Sequence, residues 1–147
     1  ADLQHEPEAV PAVAAPVLGG QAEFTVGSRH VEGGGLGFDW SFTRRIVSMG
    51  ATALCAPLTS STDPMSGFFC TTKEVLARGR DRCNPIGWKI GLEIMARCRP
   101  TTVQDVGITF QERNEGDSNL TMKENVLYLQ QLAGLYWDKF GLLLVLL

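Results

Sequence analysis

The apolar positions change their period several times along the chain, and each change marks an element. Residues 23–27 (EFTVG) alternate apolar and polar side chains and are rich in β-formers, which predicts a strand. Phe42, Ile46, Met49 and Ala53 recur at helical spacing, so residues 40–56 are expected to form a helix with these four on one face. Residues 67–71 (GFFCT) predict a second strand and 73–78 a short helix. A further helix is expected over 90–99 and a third strand over 103–110. The last helix is expected over 120–140, with Val126, Leu129, Leu132, Ala133 and Tyr136 on its apolar side.

The connecting stretches carry their own signals. Pro7 suits a first helical turn and Glu6 and Glu8 favour its positive end, so residues 6–18 open as a helix. Pro11 and Pro16 are expected to restrict it to about one turn, and Gly19 and Gly20 to stop it. Gly33, Gly34, Gly35 and Gly37 predict a flexible loop. No lysine–serine or lysine–threonine pair follows them, which excludes a phosphate loop of the nucleotide-binding type. Residues 59–64 are turn-rich and 113–119 form a polar loop. Strands alternating with helices, without internal repeats, predict an α/β layer fold.

A chain of 147 residues suffices for one domain that buries roughly two-thirds of its unfolded surface. Its net charge of −3 argues against a broad nucleic-acid footprint, which is normally basic. The four cysteines, Cys55, Cys70, Cys83 and Cys98, form no CxxC pair, and only His5 and His30 accompany them, so no zinc site is expected. They read as reduced thiols in or near the core. Gly-x-Ser-x-Gly, HExxH and cysteine–histidine arrangements are absent, leaving hydrolase chemistry no foothold. The sequon Asn119-Leu120-Thr121 matters only in a secretory lumen.

The closing run FGLLLVLL has eight residues, too few for a membrane-crossing helix of about twenty. With Tyr136 and Trp137 suited to the bilayer interface and Lys139 able to reach headgroups, it is expected to begin a membrane segment. The chain thus divides into a folded region, 1–119, and an amphipathic-to-hydrophobic helix, 120–147.

Candidate chemistry begins at ADLQH. Asp2 and Gln4 offer oxygen ligands to a hard cation such as Mg2+, although a cap before Pro7, from Asp2 or His5, is the commoner use of such spacing. Arg29 follows the first strand, where α/β sheets present their ligand crevice. Arg44 and Ser48 lie four apart and share a helix face, whereas Arg45 points elsewhere. Arg113 stands in the polar loop. Guanidinium groups grip phosphate through paired charged hydrogen bonds, so converging arginines mark a phosphate site, while any one alone is more often surface. Asp63 before Pro64 reads as a turn residue and Glu93 as a structurally paired carboxylate.

Six segments in order, ADLQHEPE, GSRHVEGG, FTRRIVSMGA, DPMSGFF, NPIGWKIGLEIMARC and VGITFQERNEGDSNL, resemble the dolichyl-phosphate mannose synthases, over about residues 1–140. The resemblance implies a nucleotide-diphospho-sugar transferase (GT-A) fold, a mostly parallel sheet flanked by helices. It implies inverting transfer of mannose from GDP-mannose to dolichyl phosphate at the cytosolic face of the endoplasmic reticulum membrane, with Mg2+ or Mn2+. By position, Asp2 and Gln4 belong to the metal and diphosphate site. Asp2, Arg44 and Arg113 are the implied catalytic residues, and Arg29, Arg44, Ser48 and Arg113 the implied phosphate ligands, with Arg29 and Arg44 chiefly on the acceptor. Arg29 and Arg44 are accordingly expected on one cavity, with Asp2 at its rim. Helix 40–56 and the last helix are implied to face the membrane.

Two departures stand out. Asn119 replaces a lysine usual in the family's loop, and the family's amino-terminal nucleotide-binding half and first motif aspartate have no counterpart here. The chain is therefore expected to be a carboxy-terminal fragment, inactive alone, with an exposed sheet edge. The competing readings are transfer of another sugar to a polyprenyl phosphate, and a non-catalytic module that binds lipid phosphate at a membrane.

Overall fold

The structure, a computed structural model, describes residues 4–37, 39, 41–84, 86–111 and 122–145. Its elements are α1 (Val10–Leu18), β1 (Phe24–Ser28), β2 (Gly35–Leu36), α2 (Phe42–Ala53), β3 (Phe69–Thr71), α3 (Lys73–Gly79), α4 (Ile90–Cys98), β4 (Val103–Gly107), β5 (Thr109–Phe110) and α5 (Met122–Val145). Strand β1 is central in a three-stranded sheet, antiparallel to β3 and parallel to β4. The short strands β2 and β5 pair parallel beside it. The α/β expectation is met, and two of the three strand pairings are parallel.

All of β1 is buried, because helices cover both of its faces. Phe24 and Val26 pack with Val75 of α3 and with Ile94, Met95 and Cys98 of α4. Thr25 points the other way and donates its hydroxyl to the carbonyl of Val13 in α1 at 2.5 Å. The strand expected over 23–27 is present as Phe24–Ser28 and is buried along its whole length. Helix α1 also outlasts its prolines, following a 3-10 turn over Pro7–Ala9. Pro11 lies in its first turn, where no donor is needed, and Pro16 is buried with Val13 against the sheet. Gly20, at φ 71°, then turns the chain into β1.

The glycine-rich segment is closely packed rather than loose. A side chain at Gly34 would strike the carbonyl of Ser28, and one at Gly107 would strike the backbone of Glu32 and Gly33. The segment therefore lies directly on the end of β4, and β2 follows from it. The single strand expected over 103–110 is broken at Ile108, where the chain passes from its pairing with β1 to its pairing with β2.

Helix α5 is turned relative to expectation. Leu132 and Leu135 are buried with Cys55, Leu58 and Leu92, whereas Val126 and Leu129 are 50% and 56% exposed. Polar groups set this rotation. The hydroxyls of Tyr128 and Tyr136 donate to the carbonyls of Ala51 and Leu54, at 2.6 and 2.8 Å, holding the end of α2. Gln131, also buried, donates to Lys89 O and Glu93 Oε2. Glu93 is structurally paired as expected, also accepting from Arg97 Nε at 2.6 Å and Asn84 N at 2.8 Å. The four cysteines are free; Cys55 and Cys98 are buried, and Cys70 and Cys83 partly so. Among the described residues no helix is long and apolar enough to cross a membrane.

Glu23 ties the start of β1 to α3 and to the turn before β4. Its carboxylate accepts from both terminal nitrogens of Arg78 and from Thr101 N and Oγ1. The Arg78 hydrogen bond, then those from Thr101, hold its pKa at about 2, below the ordinary 4.5. A lowered carboxyl pKa gives stability that is present above the ordinary value and lost as pH falls through the folded one. Denaturant melts between pH 7 and pH 2 should therefore show the wild type losing its advantage over Glu23→Gln below about pH 4.5. An advantage that stayed constant with pH would refute this role.

Candidate functional site

The carboxyl end of β1 delivers Arg29 into a polar cluster. Arg29 Nε and Nη2 donate to the two carboxylate oxygens of Asp63, each at 2.7 Å, and Arg29 N donates to Asp63 Oδ2 at 3.1 Å. Asp63 is fully buried and the Arg29 side chain is 11% exposed. The Asp63 carboxylate is thus an ion-pair partner rather than a turn-maker, although its carbonyl does accept from Ser66 N in the turn. Asp105 of β4 fixes the approach by accepting from Ser61 Oγ, Thr62 N and Thr62 Oγ1, all at 2.7 Å. Ser28 Oγ reaches Thr62 Oγ1 at 2.9 Å. The Arg29 guanidinium carbon lies 5.3 Å from the centre of the Phe110 ring.

Helix α2 supplies the second group. Its N-cap, Ser41, accepts from Arg44 N, and Arg44 and Ser48 then project from one face. Arg45 turns away, as expected, and reaches Asp39 on exposed surface at 3.3 Å. A cavity of about 430 Å3 is lined by Gln4, Arg29, Arg44 and Ser48 together. Asp2 and Arg113 lie outside the described residues, as does Asn119. His5 also lines the cavity, pairing with Phe110 in strand fashion and setting its ring at a tilt to Phe68 and edge-on to Phe110.

Further polar groups of this cavity were not singled out from the sequence. Lys89 lines it and donates from Nζ to the carbonyl of Met65 at 3.2 Å. Burial, and then the nearby charge of Arg29, push its pKa below the usual lysine value. Glu124 and Gln131 also line the wall. Tyr128 lines it too, but burial and its hydrogen bond with Cys55 raise the phenol's pKa well above normal, so it serves as a fixed donor to Ala51. The available signal for Lys89 was a lysine set between Trp88 and Ile90. Asp63 and Asp105 had none, because their partners are 34 and 43 or 44 residues away.

Apolar side chains complete the cavity, among them Val47, Met65, Ile86 and Trp88. Trp88 is 65% exposed and Val47 48%. The arrangement therefore joins cations to an apolar rim open to the outside. Among the described residues no group of three or more histidines, cysteines or carboxylates is placed to hold a metal. Of the implied donors only Gln4 is described, and a lone amide oxygen is too weak a site for a hard divalent ion without a carboxylate.

No protein-family model matches the chain. Curated relatives do, the following three among them. The chain is 43% identical to a dolichol-phosphate mannosyltransferase of Mycosarcoma maydis, across 96% of its own length and 48% of the relative's. It is 41% identical to the protein of that name from Saccharomyces cerevisiae, across 96% of itself and 54% of the relative. It is 37% identical to one from Pyrococcus furiosus, across 94% of itself and 40% of the relative. The chain spans about half the length of these relatives.

Proposed function

We infer that this chain, whose sequence belongs with the dolichol-phosphate mannosyltransferases, forms the acceptor side of an enzyme that transfers mannose from GDP-mannose to dolichyl phosphate. The observation that carries the reading is the single cavity in which Arg29, Arg44 and Lys89 meet an apolar, exposed rim. A lipid phosphate needs both features, cations for its headgroup and an apolar exit for its chain. The parallel β1–β4 pair, with Arg29 at its carboxyl end, supports a GT-A arrangement.

The chemistry asks little of a general base. A phosphate monoester is mostly ionised near pH 7, with a second pKa of about 6. Its oxygen attacks the anomeric carbon of mannose, the bond from that carbon to the diphosphate oxygen breaks, and GDP leaves with the electron pair, inverting the centre. Arg44 aligns the attacking phosphate, with Ser48 beside it. Arg29, locked by Asp63, supplies fixed positive potential. Arg113 is assigned to phosphate as well. A divalent ion, Mg2+ or Mn2+, belongs to the proposal with Gln4 and Asp2 as its ligands, and Asp2 would have to provide the charge. When bound, such an ion offsets charge on the departing diphosphate.

The same reading places the protein on the cytosolic leaflet of the endoplasmic reticulum membrane. No residue of α2 is buried, and its Phe42, Ile46 and Met49 are 78%, 53% and 70% exposed. On α5, Met122, Val126, Leu129 and Trp137 form a second exposed apolar stripe. Changing Phe42, Ile46 and Met49 together to serine should lower liposome co-sedimentation about tenfold or more, since each buried apolar side chain contributes roughly 1.5–3 kcal/mol. Unchanged sedimentation would remove α2 from the membrane contact.

Incubation of the full-length protein with GDP-mannose and dolichyl phosphate should yield a mannosyl lipid phosphate, read by mass spectrometry. Transfer from another sugar nucleotide only, or no transfer at all, would overturn the assignment.

A further inference from the structure

We propose that the Lys89 ammonium is a third cation of the acceptor site, contacting the phosphate of a lipid phosphomonoester in the cavity that Arg29 and Arg44 also line. The inference deepens the acceptor-site reading and rests on it.

Lys89 is held in the cavity wall with its bonding capacity largely unspent. An ammonium carries three donors, and among the described residues that of Lys89 makes one hydrogen bond, to the carbonyl of Met65. Among those residues it also has no carboxylate within ion-pair distance. Asp63, whose charge acts on Lys89, is committed to Arg29 through both of its oxygens. Lys89 therefore stands near Arg29 as a like charge that Asp63 and Glu124 offset only in part, and burial and that repulsion are what depress its pKa. An anion in the cavity relieves both effects at once.

The wall beside it is polar in a way that selects a headgroup over a hydrocarbon tail. Gln131 is 3% exposed and lines the same cavity. Its Nε2 is satisfied by Lys89 O at 3.1 Å and by Glu93 Oε2 at 2.9 Å, but among the described residues its Oε1 has no partner. An apolar occupant would leave that oxygen stranded, whereas a hydrated phosphate brings water that donates to it. Gln131 Nε2 and Glu93 N both donate to the carbonyl of Lys89, at 3.1 and 3.2 Å, which fixes the lysine backbone at the start of α4. Trp88 and Ile90 on either side are exposed, at 65% and 50%, so an apolar–cation–apolar sequence lies along the route of a lipid whose head binds inward.

Steady-state transfer by the full-length protein, with phytanyl phosphate varied at saturating GDP-mannose, tests the assignment. Lys89→Gln keeps a donor for the Met65 carbonyl but loses the charge. It should raise KM for phytanyl phosphate about tenfold or more, as expected for losing a charged hydrogen bond, while KM for GDP-mannose stays unchanged. Lys89→Arg should recover most of the loss. An unchanged KM in Lys89→Gln, with Arg44→Lys raising it, would overturn the role of Lys89 and leave the acceptor site standing. If neither variant moves it, both the inference and the acceptor-site reading fail. Should Lys89→Gln not fold, reductive methylation of the wild type gives the answer: dodecyl phosphate should protect Lys89, and equal labelling with and without it would overturn the proposal.

Discussion

Asp63→Ala is expected to cost the folded protein about 3–5 kcal/mol, the largest effect of any single change at the site, because it strands a largely buried guanidinium. Arg29 is 11% exposed and gives three hydrogen bonds to that one carboxylate. The loss would appear in urea denaturation followed by circular dichroism. Substituting both partners, as Arg29→Met with Asp63→Ala, should restore much of the stability, since the uncompensated charge is gone. The double variant should still fail to transfer mannose if Arg29 supplies potential to the acceptor. A single variant within about 0.5 kcal/mol of wild type would show that the pair is not a structural anchor.

Arg44→Lys in the full-length protein should behave in the opposite manner, lowering activity far more than stability. Its backbone N–H, not its side chain, completes the Ser41 cap, and α2 contains no buried residue that the change would disturb. A planar fork able to hold two phosphate oxygens is replaced by a point charge. The second-order rate for the lipid phosphate should drop about 10–100-fold, in line with the loss of one charge-assisted hydrogen bond. Arg45→Lys is the control. Arg45 makes a long contact with Asp39 on exposed surface, so its replacement should change neither rate nor stability. Equal rates for Arg44→Lys and wild type would remove Arg44 from the site.

Local rules made much of the architecture readable. The strand at β1, the helices α2, α3 and α4, and the placement of Arg29 just past a strand all follow from period and turn chemistry. What local rules miss here is decided by distant partners. The rotation of α5 depends on Tyr128, Tyr136 and Gln131 finding acceptors in α2 and α4, which outweighs the apolar stripe through Val126 and Leu129. Pro16 sits inside α1 because burial against the sheet offsets a missing donor. The glycines of residues 33–37 look flexible in isolation, yet Gly34 and Gly107 are needed for backbone contact.

The site divides in the same way. Arg44 and Ser48 are one helical turn apart, so their shared face was legible, and Arg29 was placed by the strand before it. Their convergence on one cavity, and the entry of Lys89, depend on tertiary structure. Asp63 and Asp105 do their work across more than thirty residues of sequence, and a carboxylate before proline gives no hint of an arginine on another strand.

The central claim is that this cavity holds the acceptor's phosphate. A crystal structure of the full-length protein with phytanyl phosphate tests it most directly. The account predicts phosphate oxygens within hydrogen-bond reach of Arg44 and Lys89, and a hydrocarbon chain leaving past Trp88. A phosphate bound elsewhere, with Arg29, Arg44 and Lys89 facing only solvent, would contradict it.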